Sequence, residues 1–251
     1  MTAALRPQWT NVGGLRMFAR TGGPPPQENG TVVVLVHGQI ISSLYMVPTA
    51  ERLASEFRVF APDLPGFGLS DKPRRVLCVP ELADALGAWM DTLELGPAAL
   101  VGNSLGCQIA VDLAVRRPEL VQALVLAGPS VDRHARTASA QIVRWFRDWP
   151  GERPSLALAH LRDFAHAGLR RSLGTFRCTL ADRIEEKLPL VQVRTVVVRG
   201  TRDTIVPQVW AEEVTRLLPH GELILIPGGP HCVNYSTPGP FSRIIASFLR
   251  G

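Results

Sequence analysis

Lysine is nearly absent from this chain: of 27 basic residues only Lys72 and Lys187 are lysines, and the rest are arginines spread along the sequence. With a net charge of +5 and no basic block, the pattern excludes an extended nucleic-acid surface. Cysteine is scarce as well. Cys78, Cys107, Cys178 and Cys232 form no C-x-x-C pair, which argues against a structural zinc site and against a disulfide framework, and sets the expectation of a reduced, cytoplasmic protein. Also missing is any apolar run of the roughly 18–20 residues needed to cross a bilayer. The opening MTAALRPQWT lacks a basic segment followed by a long apolar one, so no secretory signal is expected. These absences leave a chain with no expected metal, cofactor, nucleic-acid or membrane partner, and a monomer or homodimer is the expected state. What is present, 46% apolar and 20% charged residues over 251 positions, suits one sizeable globular domain or one domain with an insertion.

Taken in order, residues 8–12 and 15–20 flank a Gly13-Gly14 turn and predict a hairpin. Residues 21–30, TGGPPPQENG, form a polar loop. Thr31 to Val36 is β-branched and apolar on both faces, the pattern of a buried central strand. A helix is expected over about 46–56, a strand at Phe57–Ala61, and a helix over 80–95 carrying Leu82, Leu86, Trp89 and Leu93. Val121–Ala127, Arg194–Arg199 and Glu222–Ile226 read as further strands, with helices over 207–218 and Phe241–Leu249. Strands alternating with helices over this length predict an α/β fold with a doubly wound, mostly parallel sheet. Residues 131–190 interrupt the alternation with helical patterns alone, ten arginines and three histidines. They are expected to form a helical cap on a core made of residues 1–130 and 191–251.

The stretch 98–118, AALVGNSLGCQIAVDLAVRRP, organises the rest. A short apolar strand runs into Gly102-Asn103-Ser104-Leu105-Gly106, and a helical pattern follows until Pro118. A turn that tight excludes side chains at its flanks, so Gly occupies them and Ser104 is left at the tip, at the N-terminus of a helix. Two other loops follow strand ends: Asp203 comes just after RTVVVR and His231 just after ELILI. In open parallel sheets, sites form outside the carboxyl ends of the strands. Alone, Asp203 reads more readily as a cap for the helix starting near Pro207 and His231 as a solvated loop residue. Together with Ser104 they meet one geometric rule.

The segments VLVHG, FAPDLPGFGLSDKP, VGNSLG, VVVRGTRDTIVP and HCVNYSTP resemble those of α/β-hydrolase-fold proteins, over about residues 31–249. The resemblance implies a catalytic triad of Ser104, Asp203 and His231, an oxyanion hole from the backbone N–H groups of Gln39 and Leu105, and a cap. Three positions depart from the family's usual pattern: Cys107 and Pro230 stand where Gly is common, and Ser236 where Glu is. Serine is a poor nucleophile at neutral pH, so a base such as His231 must take its proton during attack, with Asp203 holding the imidazole. The expected activity is hydrolysis of a small, partly lipophilic carboxylic ester or lactone through an acyl-enzyme. Two alternatives stay open: cleavage of a C–C bond beside a ketone, and a lyase or ligand receptor that retains the triad. Trp145 and Trp149, four apart on one helical pattern with Ile142 and Phe146, are candidates for contacting the substrate, with cap packing as the alternative.

Overall fold

The computed structural model describes residues 4–26 and 30–251. Gln27, Glu28 and Asn29 of the expected polar loop, and the first three residues of the opening segment, lie outside the described residues. The first strands, β1 (Arg6–Val12) and β2 (Leu15–Gly22), make the expected hairpin, with Trp9 opposite Phe18. Then follow β3 (Val32–Val36), helix α1 (Val47–Leu53), β4 (Arg58–Pro62), α2 (Val79–Thr92), β5 (Ala98–Asn103), α3 (Leu105–Arg116) and β6 (Val121–Ala127). Next come α4 (Ala138–Asp148), α5 (Pro154–Ala167), α6 (Leu169–Ala181) and α7 (Ile184–Lys187). The chain closes with β7 (Thr195–Gly200), α8 (Gln208–Leu217), β8 (Gly221–Ile226), α9 (Val233–Ser236) and α10 (Pro238–Arg250). The last helix starts three residues before the expected Phe241, because Pro238 fits the first turn of a helix, where its missing N–H has no partner to lose.

The eight strands form one sheet in the order β1-β2-β4-β3-β5-β6-β7-β8; β2 is antiparallel to both its neighbours and the other strands are parallel. Alternate side chains of β3 serve opposite layers. Val32, Val34 and Val36 pack with Leu82, Trp89, Ile109 and Trp210 on one face, whereas Val33 and Leu35 pack with Ala50, Leu53, Phe241 and Ile245 on the other. Register brings the strand ends level: Val36 pairs with Gly102, Asn103 with Ala127 and Gly200 with Ile226. The loops after β3, β5, β6, β7 and β8 therefore gather along one edge. β3 lies between β4 and β5, so the strand order reverses beside it, where such sheets open a crevice.

Between β6 and β7 the described residues hold helices and no strand. Ile184 and Leu188 are fully buried in the main core, so the chain rejoins the body before residue 190. Lys187 binds Asp112 of α3 at 2.7 Å and also Asp182, and the Gln108 amide donates to the Thr179 carbonyl at 3.0 Å, tying α6 to α3. One expectation is corrected. Cys78 and Cys178 are joined by a disulfide, linking the start of α2 to α6 across 100 residues of sequence. Local cysteine spacing carries no trace of a bridge made by tertiary packing. Disulfides persist in oxidising compartments, so the cysteine argument for a reducing one loses its premise. Among the described residues no helix is long and apolar enough to cross a membrane.

Candidate active site

Ser104 sits between β5 and α3 with φ +55°, a left-handed conformation that non-glycine residues rarely hold. The flanking glycines are required by contact. A Cβ on Gly102 would come within 2.5 Å of the Gly106 carbonyl oxygen, and one on Gly106 within 2.2 Å of the Val36 carbonyl oxygen. The turn is pinned by the Ser104 N–H donating to the Ala127 carbonyl at 3.0 Å. Asn103 joins it to two other loops: its amide donates to the carbonyls of Ala127 at 3.0 Å and His231 at 3.2 Å, and its oxygen accepts from the Tyr45 hydroxyl at 2.8 Å. Tyr45 in turn accepts from the Gly38 N–H at 2.6 Å. Burial pushes the Tyr45 hydroxyl far above its ordinary range, so it remains a proton donor.

Asp203 and His231 meet. His231 Nδ1 lies 2.9 Å from Asp203 Oδ2, while Asp203 Oδ1 accepts the backbone N–H groups of Ile205 at 2.9 Å and Val206 at 2.8 Å. Burial pulls the His231 proton affinity down, but the adjacent Asp203 carboxylate, with Asp148 and Glu152 adding to it, more than offsets it, and the imidazole is raised to about 9. Gly128 makes room for this pair. Its φ is +55°, and a Cβ there would lie 2.9 Å from His231 Cε1 and Nδ1 and 3.2 Å from Asp203 Oδ2. Ser104 stands apart from the pair: its Oγ bonds to Ser130 Oγ at 3.2 Å and has no hydrogen bond to His231 among the described residues. Such contacts are often loose before substrate binds. The backbone N–H groups of Gln39 and Leu105 have no hydrogen-bond partner among the described residues.

These groups face a cavity of about 530 Å³. Ser104, His231, Gln39, Trp145 and Trp149 line it, with Ile41, Ile142, Leu156, Leu161, Phe164, Leu169 and Leu173. The Trp145 and Trp149 rings meet at a tilt of 49° with centroids 5.1 Å apart, and Trp149 meets His160 edge-on at 5.8 Å. Phe146 does not line the cavity; it is 64% exposed, so the predicted apolar stripe divides between cavity and surface. Nothing in the sequence patterns singled out Ser130, Gly128, Tyr45, Asp148 or Glu152. Only Gly128 carried a signal, a glycine immediately after a strand end. Glu152, just after α4, takes the Cys232 N–H at 2.6 Å and the Ser236 hydroxyl, so the departure at Ser236 is met by a carboxylate from the 131–190 segment.

A family model described as alpha/beta hydrolase fold matches residues 31–177. The chain is 26% identical, over an alignment of 264 residues, to the 2-(acetamidomethylene)succinate hydrolase of Mesorhizobium japonicum, covering 95% of this chain and 93% of that protein. Among solved structures, a serine hydrolase involved in carbazole degradation superposes with a TM-score of 0.80 at 25% identity, over 98% of this chain and 99% of the other. A thermophilic esterase from Thermogutta terrifontis superposes with a TM-score of 0.79, over 98% and 96% of the two chains; at 20% identity that likeness is one of fold.

Proposed function

The chain belongs to the alpha/beta hydrolase fold family, and from that premise we propose that it is a serine hydrolase cleaving small, partly lipophilic carboxylic esters or lactones through an acyl-enzyme on Ser104. Ser104 attacks the carbonyl carbon as His231 Nε2 takes its proton, and Asp203 keeps the imidazole in the tautomer with Nδ1–H and stabilises the imidazolium. The Gln39 and Leu105 N–H groups receive the oxyanion; one such donor is worth about 2.7–4 kcal/mol of transition-state stabilisation. His231 then gives its proton to the departing alcohol, and water activated by the same imidazole releases the acid. Residues 131–190 act as a cap that selects the substrate and keeps water from the reacting carbonyl.

The observation that carries this reading is the buried His231–Asp203 pair beside Ser104, opening into an apolar cavity. Among the described residues no Arg or Lys side chain lines that cavity. A dianion such as a succinate derivative would be stripped of water there with no Arg or Lys to meet it and with the His231 imidazole already paired to Asp203, which favours a neutral substrate. Aromatic and aliphatic walls suit an acyl or alcohol group of moderate size. The test is turnover of a panel of p-nitrophenyl esters and lactones of graded length, together with labelling by a fluorophosphonate. Labelling with ester turnover supports the reading. Labelling without turnover of any ester or lactone favours C–C bond cleavage or the lyase or receptor class, and the absence of both labelling and turnover removes the serine mechanism.

A further inference from the structure

Asp148 closes α4, is 4% exposed, and lines the cavity beside His231. Its two oxygens reach two different loops. Oδ1 accepts the backbone N–H of Thr204 at 3.2 Å, one residue beyond Asp203, and Oδ2 accepts the backbone N–H of His231 itself at 3.4 Å. The Thr204 hydroxyl returns a bond to the Arg144 carbonyl of α4 at 2.9 Å. A buried carboxylate needs partners to offset its lost hydration. Among the described residues no Arg or Lys pairs with it, because the Arg144 guanidinium on the same helix is committed to Asp132 at 2.8 Å, and the charge that faces it is the His231 imidazole. The partners are instead the two loops that carry the acid and the base.

Resting on the triad reading above, we propose that Asp148 is a positioning residue that fixes the Asp203 loop and the His231 loop to the end of α4, so that one cap side chain sets the register of the base and acid. Glu152, one turn further on, holds the next residue of the same loop through the Cys232 N–H. The titratable groups facing Asp148 are His231 and Asp203 from the strand-end loops and Glu152 from its own side, while His160 of α5 faces His231. Burial, with Asp203 and Glu152 adding to it and His231 opposing, raises Asp148 to about 7. Its ionised form favours protonated His231, so removing that charge lowers the proton affinity of the base.

The test is the pH dependence of kcat/KM for the full chain, with the best substrate from the ester panel, in Asp148→Asn and Asp148→Glu. Asparagine turns an amide N–H toward one of the two backbone donors and deletes the charge. Its kcat/KM should fall on the order of 10²-fold, carried by kcat, as displacement of a reacting group by about 1 Å does. The rising limb of its profile should also move to lower pH. Glutamate keeps the charge but misplaces it, so its limb should stay and its plateau fall. A merely structural role would lower the melting temperature and leave both limb and plateau in place. Wild-type kcat/KM with an unmoved limb in Asp148→Asn overturns the proposal; if that variant does not fold, a wild-type plateau in Asp148→Glu overturns it. Ser104→Ala separates the two claims. If it is inactive while the Asp148 variants behave as wild type, only the positioning role falls, and if it turns over ester, the triad reading falls and the proposal with it.

Discussion

Replacing Gly128 by Ala adds one methyl group against the face of the His231–Asp203 pair. Two effects arise, and Gly13 allows them to be separated. Both glycines have φ +55°, but a Cβ at Gly13 meets nothing within 4 Å, whereas one at Gly128 meets His231 Cε1 and Nδ1 at 2.9 Å. The left-handed backbone costs an alanine about 1–2 kcal/mol at either place. In a protein of this length each kcal/mol lowers the melting temperature by about 2–4 °C. Gly13→Ala should therefore melt roughly 2–8 °C lower with unchanged kinetics. Gly128→Ala should melt at least that much lower, and in addition lose on the order of 10²-fold in kcat, because the imidazole must move off a contact tighter than van der Waals packing permits. The assays are thermal unfolding and steady-state ester hydrolysis on both variants. A Gly128→Ala protein with wild-type kcat would refute the reasoning, since the imidazole it crowds would then not be the base.

Asp203→Asn should fold normally and lose kcat on the order of 10⁴-fold, the cost of the wrong imidazole tautomer in a well-studied triad; near-normal ester turnover would transfer its role to another carboxylate. The rising limb of kcat/KM in the wild-type protein should lie alkaline of an ordinary imidazole, toward about 9, because His231 accepts the serine proton only when unprotonated and Asp203 favours its protonated form. A stopped-time pH series that placed the limb at or below about 6.5 would contradict that assignment. Trp145→Ala and Trp149→Ala, which each remove a wall of the cavity, should change the ratio of kcat/KM between short and bulky esters by about 10-fold or more. Unchanged ranking with only earlier melting would make the two rings packing alone.

Strands β3 and β7 were legible because their burial is written as runs dominated by β-branched residues, and Ser104 because its two glycines answer to carbonyl oxygens 2.2–2.5 Å from where a side chain would stand. Asp203 and His231 were legible as candidates only together with Ser104, each following a strand end. What the sequence hid is whatever depends on backbone groups distant in the chain. Asp148 looks like an ordinary last residue of a helix; its partners are N–H groups 56 and 83 residues away. The Cys78–Cys178 bridge is hidden for the same reason, since α6 returns to α2 only once the chain between β6 and β7 has folded. The apolar stripe on α4 was legible as a stripe, but its division between Trp145 in the cavity and Phe146 at the surface is set by where the helix docks.

The central claim, that Ser104 is the nucleophile, is tested most directly by treating the protein with a fluorophosphonate and mapping the adduct by mass spectrometry. The account predicts a single phosphonyl group on the peptide containing Ser104 in the wild-type protein, and no adduct in a folded Ser104→Ala variant. An adduct on another residue of the wild-type chain, or one that persists in Ser104→Ala, would contradict it.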